Sequence, residues 1–141
     1  MEFVDKEINE ILNDELGDSA YEMANVSKDD TGLPYNIWID SLGKDRQNKH
    51  NSPRIKVDVN GKLIPITIDD NPDIPESVKK SGTKDFARIA EVKKYIRAYK
   101  DVFLAHYNRQ ITDRQALNLL VDISKAEEGK IQIVNWLNPN R

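Results

Sequence analysis

Residues 54–68, Arg54-Ile55-Lys56-Val57-Asp58-Val59-Asn60-Gly61-Lys62-Leu63-Ile64-Pro65-Ile66-Thr67-Ile68, decide the fold. Ile55, Val57 and Val59 alternate with Arg54, Lys56 and Asp58, while Ile64, Ile66 and Ile68 alternate with Pro65 and Thr67. A period of two is that of a strand with one buried face. Between the runs stands Asn60-Gly61, a strong signal for a two-residue hairpin turn. If Val59 faces Lys62 across that turn, Val57 faces Ile64 and Ile55 faces Ile66, so the apolar residues share one face. A slip of one residue would break this, which fixes the register. Pro65 then falls at a non-hydrogen-bonded pair, its missing N–H directed away from the second strand, so this strand should be an edge.

Tyr35, Ile37 and Ile39 alternate in the same way with Asn36, Trp38 and Asp40 and supply a further strand. It must pair with the 54–59 strand, giving spatial order 1-2-3, with residues 41–53 as the connection. Aligning the apolar faces gathers Trp38, Arg54, Lys56 and Thr67 on the opposite side, together with Asp40 and Asp58. Tyr21, Met23 and Asn25 have the spacing of a short extra strand.

The helices are read from a different period. Phe3, Val4, Ile8, Ile11, Leu12 and Leu16 recur every three or four residues before Gly17, so 3–16 reads as an amphipathic helix. Phe86, Ile89, Val92, Ile96, Tyr99 and Phe103 form the stripe of a long helix from about 84 to 107, capped by Thr83 or Ser81. Thr112-Asp113-Arg114-Gln115 is a capping-box pattern ahead of Ala116, Leu119, Leu120 and Ile123, with Ile111 placed to staple the first turn. Residues 130–137 suit either a strand, through Ile131 and Ile133, or a helix, through Val134, Trp136 and Leu137. The expectation is a single α+β domain over 1–141: an antiparallel three-stranded meander at 34–69, the long helix on its isoleucine face, and smaller N- and C-terminal helices. Within it, 1–30 is an acidic helix and linker, 83–125 the helical part and 126–141 a tail.

At 141 residues, 38% apolar and 32% charged, the chain suffices for one domain with a core. No run reaches the roughly 18 apolar residues of a membrane helix, and the acidic start lacks a signal peptide's basic and apolar regions. A soluble, cytoplasmic protein is expected. With no cysteine, disulfides, thiolate metal sites and a cysteine nucleophile are excluded. The net charge is −3, but unevenly spread: residues 1–30 hold ten Asp/Glu against two Lys/Arg, and 79–109 hold nine Lys/Arg against three Asp/Glu. These segments either neutralise each other or solvate their helices.

Few constellations carry chemistry. The only histidines are His50, in a polar loop, and His106, near a helix end where a cation complements the dipole. His50, with Lys49, Arg54 and Asp58, is the one arrangement suited to a metal-independent nuclease. Asp69, Asp70, Asp73 and Glu76 have the composition of a hard-cation site without the spacing or turn glycine of a calcium loop, so no metal is expected. Gly32, Gly43, Gly61 and Gly82 stand singly and make no phosphate loop, so no cofactor is expected either. Trp38, Arg54 and Lys56 on one sheet face could stack bases and hold phosphates. Lys93, Arg97 and Lys100 form a second basic stripe, and Arg46 and Lys49 add charge in the 41–53 loop. Equally, the N-terminal helix could cover Trp38.

Thr31-Gly32-Leu33-Pro34, Ile37-Trp38-Ile39-Asp40, Pro53-Arg54-Ile55-Lys56-Val57 and His106-Tyr107-Asn108-Arg109-Gln110-Ile111 give a layout that resembles small uncharacterised bacterial and prophage proteins. Some of these are similar to domains found near toxin–antitoxin loci. The resemblance covers residues 30–111 and implies a phage or mobile-element origin but no catalytic residue. The functional expectation is a non-catalytic protein that binds a macromolecule, a protein first, and inhibits a host factor. The alternatives are a nucleic-acid-binding module on the Trp38, Arg54 and Lys56 face and the small nuclease.

Overall fold

The structure, a computed structural model, describes residues 23–40, 53–76 and 87–138. Four strands, β1 (Met23–Val26), β2 (Ile37–Asp40), β3 (Arg54–Val59) and β4 (Lys62–Thr67), form one antiparallel sheet in the order β1-β2-β3-β4. The hairpin register is the expected one, with Val59 opposite Lys62, Val57 opposite Ile64 and Ile55 opposite Ile66. Asn60 and Gly61 both take positive φ, 55° and 87°, which gives the turn a twist matched to the strands. Pro65 lies on β4 at the sheet edge, opposite Lys56, where the absent N–H interrupts no ladder.

The meander therefore has four strands rather than three. Met23–Val26 pairs with β2, Val26 opposite Ile37 and Ala24 opposite Ile39. Val26 carries the isoleucine face onward and is buried there. The chain turns from β1 to β2 through a one-turn helix, α1 (Lys28–Thr31), capped by Ser27 and ended by Gly32 at φ 79°.

The isoleucine face meets the expected helix, but that helix is in two parts, α2 (Ile89–Ala98) and α3 (Lys100–Tyr107). The backbone bends at Tyr99, φ −104° and ψ 21°, although its N–H still reaches the Tyr95 carbonyl at 3.0 Å. Two tyrosine hydroxyls on this rod are anchored elsewhere: Tyr95 donates to the Val121 carbonyl at 2.7 Å and Tyr99 to that of Asp122 at 2.8 Å. The bend lies at the second anchor. Val92, Tyr95, Ile96, Tyr99 and Phe103 join Ile37, Ile55, Val57, Ile64 and Ile66 in one buried cluster. Burying each aliphatic side chain contributes about 1.5–3 kcal/mol, so this contact dominates the fold. Residues 84–88 are not part of α2; Arg88 precedes it in the left-handed region at φ 63°. The expected helix at 3–16 and the caps Ser81 and Thr83 lie outside the described residues.

Helix α3 ends in a Schellman motif, with Gln110 N–H on the Ala105 carbonyl at 2.8 Å and Arg109 N–H on that of His106 at 3.0 Å. Arg109 occupies the left-handed position at φ 59°, where a side chain is strained and glycine is not. Arg109→Gly is accordingly expected to raise stability by about 0.5–1 kcal/mol, read as a higher urea midpoint at unchanged slope. An unchanged or lower midpoint would mean that the arginine side chain holds the turn.

Helix α4 (Asp113–Leu119) starts in the capping box foreseen for it: Thr112 accepts from Gln115 N–H at 3.1 Å while Gln115 accepts from Thr112 N–H at 2.9 Å. The 130–137 ambiguity resolves as helix α5 (Ala126–Leu137). Ala126, Gly129 and Ile133 face inward, with Trp136 partly buried beside them. Gly129 lies so close to Tyr99 that an added Cβ would sit 3.3 Å from its ring.

Candidate functional site

Three surfaces were singled out from the sequence, and the structure treats them differently. On the second face of the sheet, Trp38 stands opposite Lys56 and Arg54 opposite Thr67, so these four do share a side. The face is not an open platform. Lys56 is 1% exposed, Arg54 7% and Asp40 3%, and Trp38 is partly buried. Burial pulls the Lys56 ammonium down to about 8. It also lowers the Arg54 guanidinium, against the opposing pull of Tyr107 and Asp40. Three donors on this face have no acceptor: Arg54 Nε, Arg54 Nη1 and Trp38 Nε1. Thr67 and Asp58 have structural tasks. Thr67 Oγ1 accepts from Asp73 N–H at 3.1 Å, and the Asp58 carboxylate accepts from Gly61 N–H at 2.8 Å inside the hairpin turn.

The basic stripe of the long helix is largely neutralised. Lys93 reaches Asp73 at 3.3 Å and Lys100 reaches Asp70 at 2.6 Å, leaving Arg97 exposed. Hydrogen bonding to Lys100 holds the Asp70 carboxyl below its ordinary range. The acidic run after β4 thus ties that turn to α2 and α3. Asp69 closes the turn on Asn71 N–H at 2.8 Å. Among the described residues no three His, Cys, Asp or Glu side chains group as a metal site would need.

His106 is 1% exposed and bonds through Nε2 to Asp113 Oδ1 at 2.5 Å, joining α3 to the first turn of α4. Its place is a packed junction rather than a cleft. Arg46, Lys49 and His50 lie outside the described residues.

A further surface was not foreseen. Ile131, Val134 and Leu137 are 60%, 36% and 36% exposed. They are spaced by three along α5, which puts them on neighbouring turns of one side, away from Ala126, Gly129 and Ile133. Leu117 of α4 is exposed as well. Beside Val134 and Leu137 runs a groove of about 390 Å³ between α5 and α3, lined also by Leu104, Ala105, Asn108 and Ile133. The signal was present in the sequence: once 126–137 is a helix, its apolar residues are too many for one buried stripe. It was missed because that segment admitted two periods.

The chain matches no family model, no curated protein and no solved structure. The resemblance to prophage proteins near toxin–antitoxin loci therefore rests on the quoted residues alone. Among the described residues no helix is long and apolar enough to cross a membrane.

Proposed function

We propose that the protein is a non-catalytic binding module that engages a partner protein through the outward side of α5 and the adjoining part of α4. The observation that carries this is Ile131, 60% exposed, with Val134 and Leu137 on the same side of the helix. Single exposed apolar residues are ordinary, but three aligned beside a groove form the contiguous patch typical of interaction surfaces. Glu127, Lys130 and Asn135, all exposed, give it the polar rim that protein interfaces have. The partner that fits is an apolar helix face or strand laid along α5, its side chains entering the groove. A host factor bound by a mobile-element product is the setting the resemblance implies.

Ile131→Glu tests this. Its side chain is mostly in water, so folding stability should change by no more than about 0.5 kcal/mol. Affinity for the partner recovered with the wild-type chain should fall by about 2 kcal/mol, roughly thirtyfold. Equal recovery of the same partner by the variant would reject the α5 surface.

The nucleic-acid reading calls for salt-dependent retardation of single-stranded RNA or DNA that is lost in Trp38→Ala. The burial of Arg54 and Lys56 favours the protein reading over it, since neither cation stands open to a phosphate. Cleavage of the strands on the same gel would promote the nuclease reading at His50.

A further inference from the structure

The second face of the sheet carries an unbalanced charge. Among its described residues two cations, Arg54 and Lys56, lie with one carboxylate, Asp40, and all three are more than nine-tenths buried. Asp40 acts on Arg54 through space but takes neither of the orphaned nitrogens, Nε and Nη1. Those two lie on different edges of the guanidinium plane, and the indole N–H of Trp38 is a third donor without an acceptor. A buried donor left unpaired costs about 1–3 kcal/mol, and a charged one more, so such groups in native proteins point to an acceptor.

We infer that this face is a carboxylate-binding site, in which an Asp or Glu side chain of an acidic peptide segment seats against Arg54 and accepts from Trp38 Nε1. Charge selects the ligand. One more negative charge balances two cations and Asp40, whereas a phosphomonoester, at about −1.5 to −2, overshoots. Shape agrees, because an edge of the guanidinium matches the planar carboxylate with two parallel hydrogen bonds. Two sources share this chemistry. One is a partner's acidic segment. The other is this chain's residues 1–22, which hold eight Asp/Glu against one Lys and run directly into β1. The inference is independent of the α5 surface: Ile131→Glu tests that one and leaves this one untouched.

The experiment observes Arg54 Nε–H and Trp38 Nε1–H in the ¹⁵N-labelled full chain, assigned with Arg54→Lys and Trp38→Phe. Hexaglutamate and sodium phosphate are titrated in separately at equal ionic strength. The same titrations are run on a full-length variant with the eight acidic residues of 1–22 replaced by Asn or Gln. Hexaglutamate moving both resonances in the wild-type chain, about tenfold or more weaker in Arg54→Met, supports a carboxylate supplied by a partner. If the resonances already differ in the neutralised variant and hexaglutamate restores their wild-type positions, the source is residues 1–22. Phosphate moving them where hexaglutamate does not overturns the ligand class. No movement in either chain overturns the site. Should Arg54→Met fold poorly, Trp38→Phe, which removes only the indole donor, is expected to weaken hexaglutamate several-fold.

Discussion

Replacing Lys56 by methionine is expected to remove a rise in stability that the wild-type protein shows between pH 8 and 10. Lys56 is 1% exposed, and burial brings its ammonium from 10.5 to about 8. Below pH 8 the lysine is charged in both folded and unfolded chains, and the folded one bears the full cost of burying that charge. Between 8 and 10.5 the unfolded chain binds more protons than the folded, so stability climbs with pH. The separation of those two values corresponds to about 3 kcal/mol as an upper bound. Tyr95 acts in the opposite sense. Burial raises its phenol, so above pH 10 the unfolded chain ionises first and stability declines. The difference between wild type and Lys56→Met, read by urea denaturation at pH 7, 8, 9 and 10, isolates the lysine. Methionine keeps the length of the side chain, and the variant should be more stable at pH 7 by about 1–3 kcal/mol, the advantage shrinking toward pH 10. Parallel curves would show that Lys56 stays hydrated. Seating a carboxylate beside Arg54 draws Lys56 back toward its ordinary value, so the slope is steepest when the site is empty.

The second large effect belongs to Gly129. A Cβ there would lie 3.3 Å from Tyr99 Cε1 and 3.7 Å from Val102 Cγ2. Tyr99 has little room to give, because its hydroxyl is bonded to the Asp122 carbonyl and its ring lies 4.8 Å, centre to centre, from that of Tyr95. Gly129→Ala sets a gain in helix propensity of about 1 kcal/mol against this crowding and should come out within about 1 kcal/mol of wild type. Gly129→Val adds two further carbons with nowhere to go, and a loss of about 2–3 kcal/mol is expected, visible as a lower Tm and urea midpoint. A valine variant as stable as wild type would mean that α5 moves freely over α3.

The hairpin was legible because its signals agree: alternation, the Asn60-Gly61 turn and Pro65 each imply the same register, and that register is observed. The capping box at Thr112 was legible for the same reason, since two side chains must be of the right type three residues apart. Strand β1 was harder. Four residues give too short a run for a period to stand out, and its place is set by pairing with β2. The continuous apolar stripe from Val92 to Phe103 concealed the bend at Tyr99, because the bend keeps the stripe inward and coincides with a hydrogen bond to Asp122, far along the chain. At the candidate sites, alternation correctly grouped Trp38, Arg54 and Lys56. It says nothing about whether a face is covered, and burial turns that group from an open platform into a closed, charge-unbalanced one. The pairing of Asp70 and Asp73 with Lys100 and Lys93 was likewise out of reach, since it depends on how the turn after β4 lies against the helix.

The sequential order of the strands has a consequence for how the chain reaches this state. Each strand lies beside the one before it, and no connection crosses the sheet. Ladder contacts are therefore local, and the entropy of closing each loop is met in small steps. The β3–β4 hairpin, with a two-residue closure, belongs to the elements that form within microseconds. The tyrosine anchors are different: Tyr95 and Tyr99 reach across 26 and 23 residues to Val121 and Asp122. Folding of this protein should accordingly be limited by the arrival of its C-terminal helices, not by the assembly of its sheet.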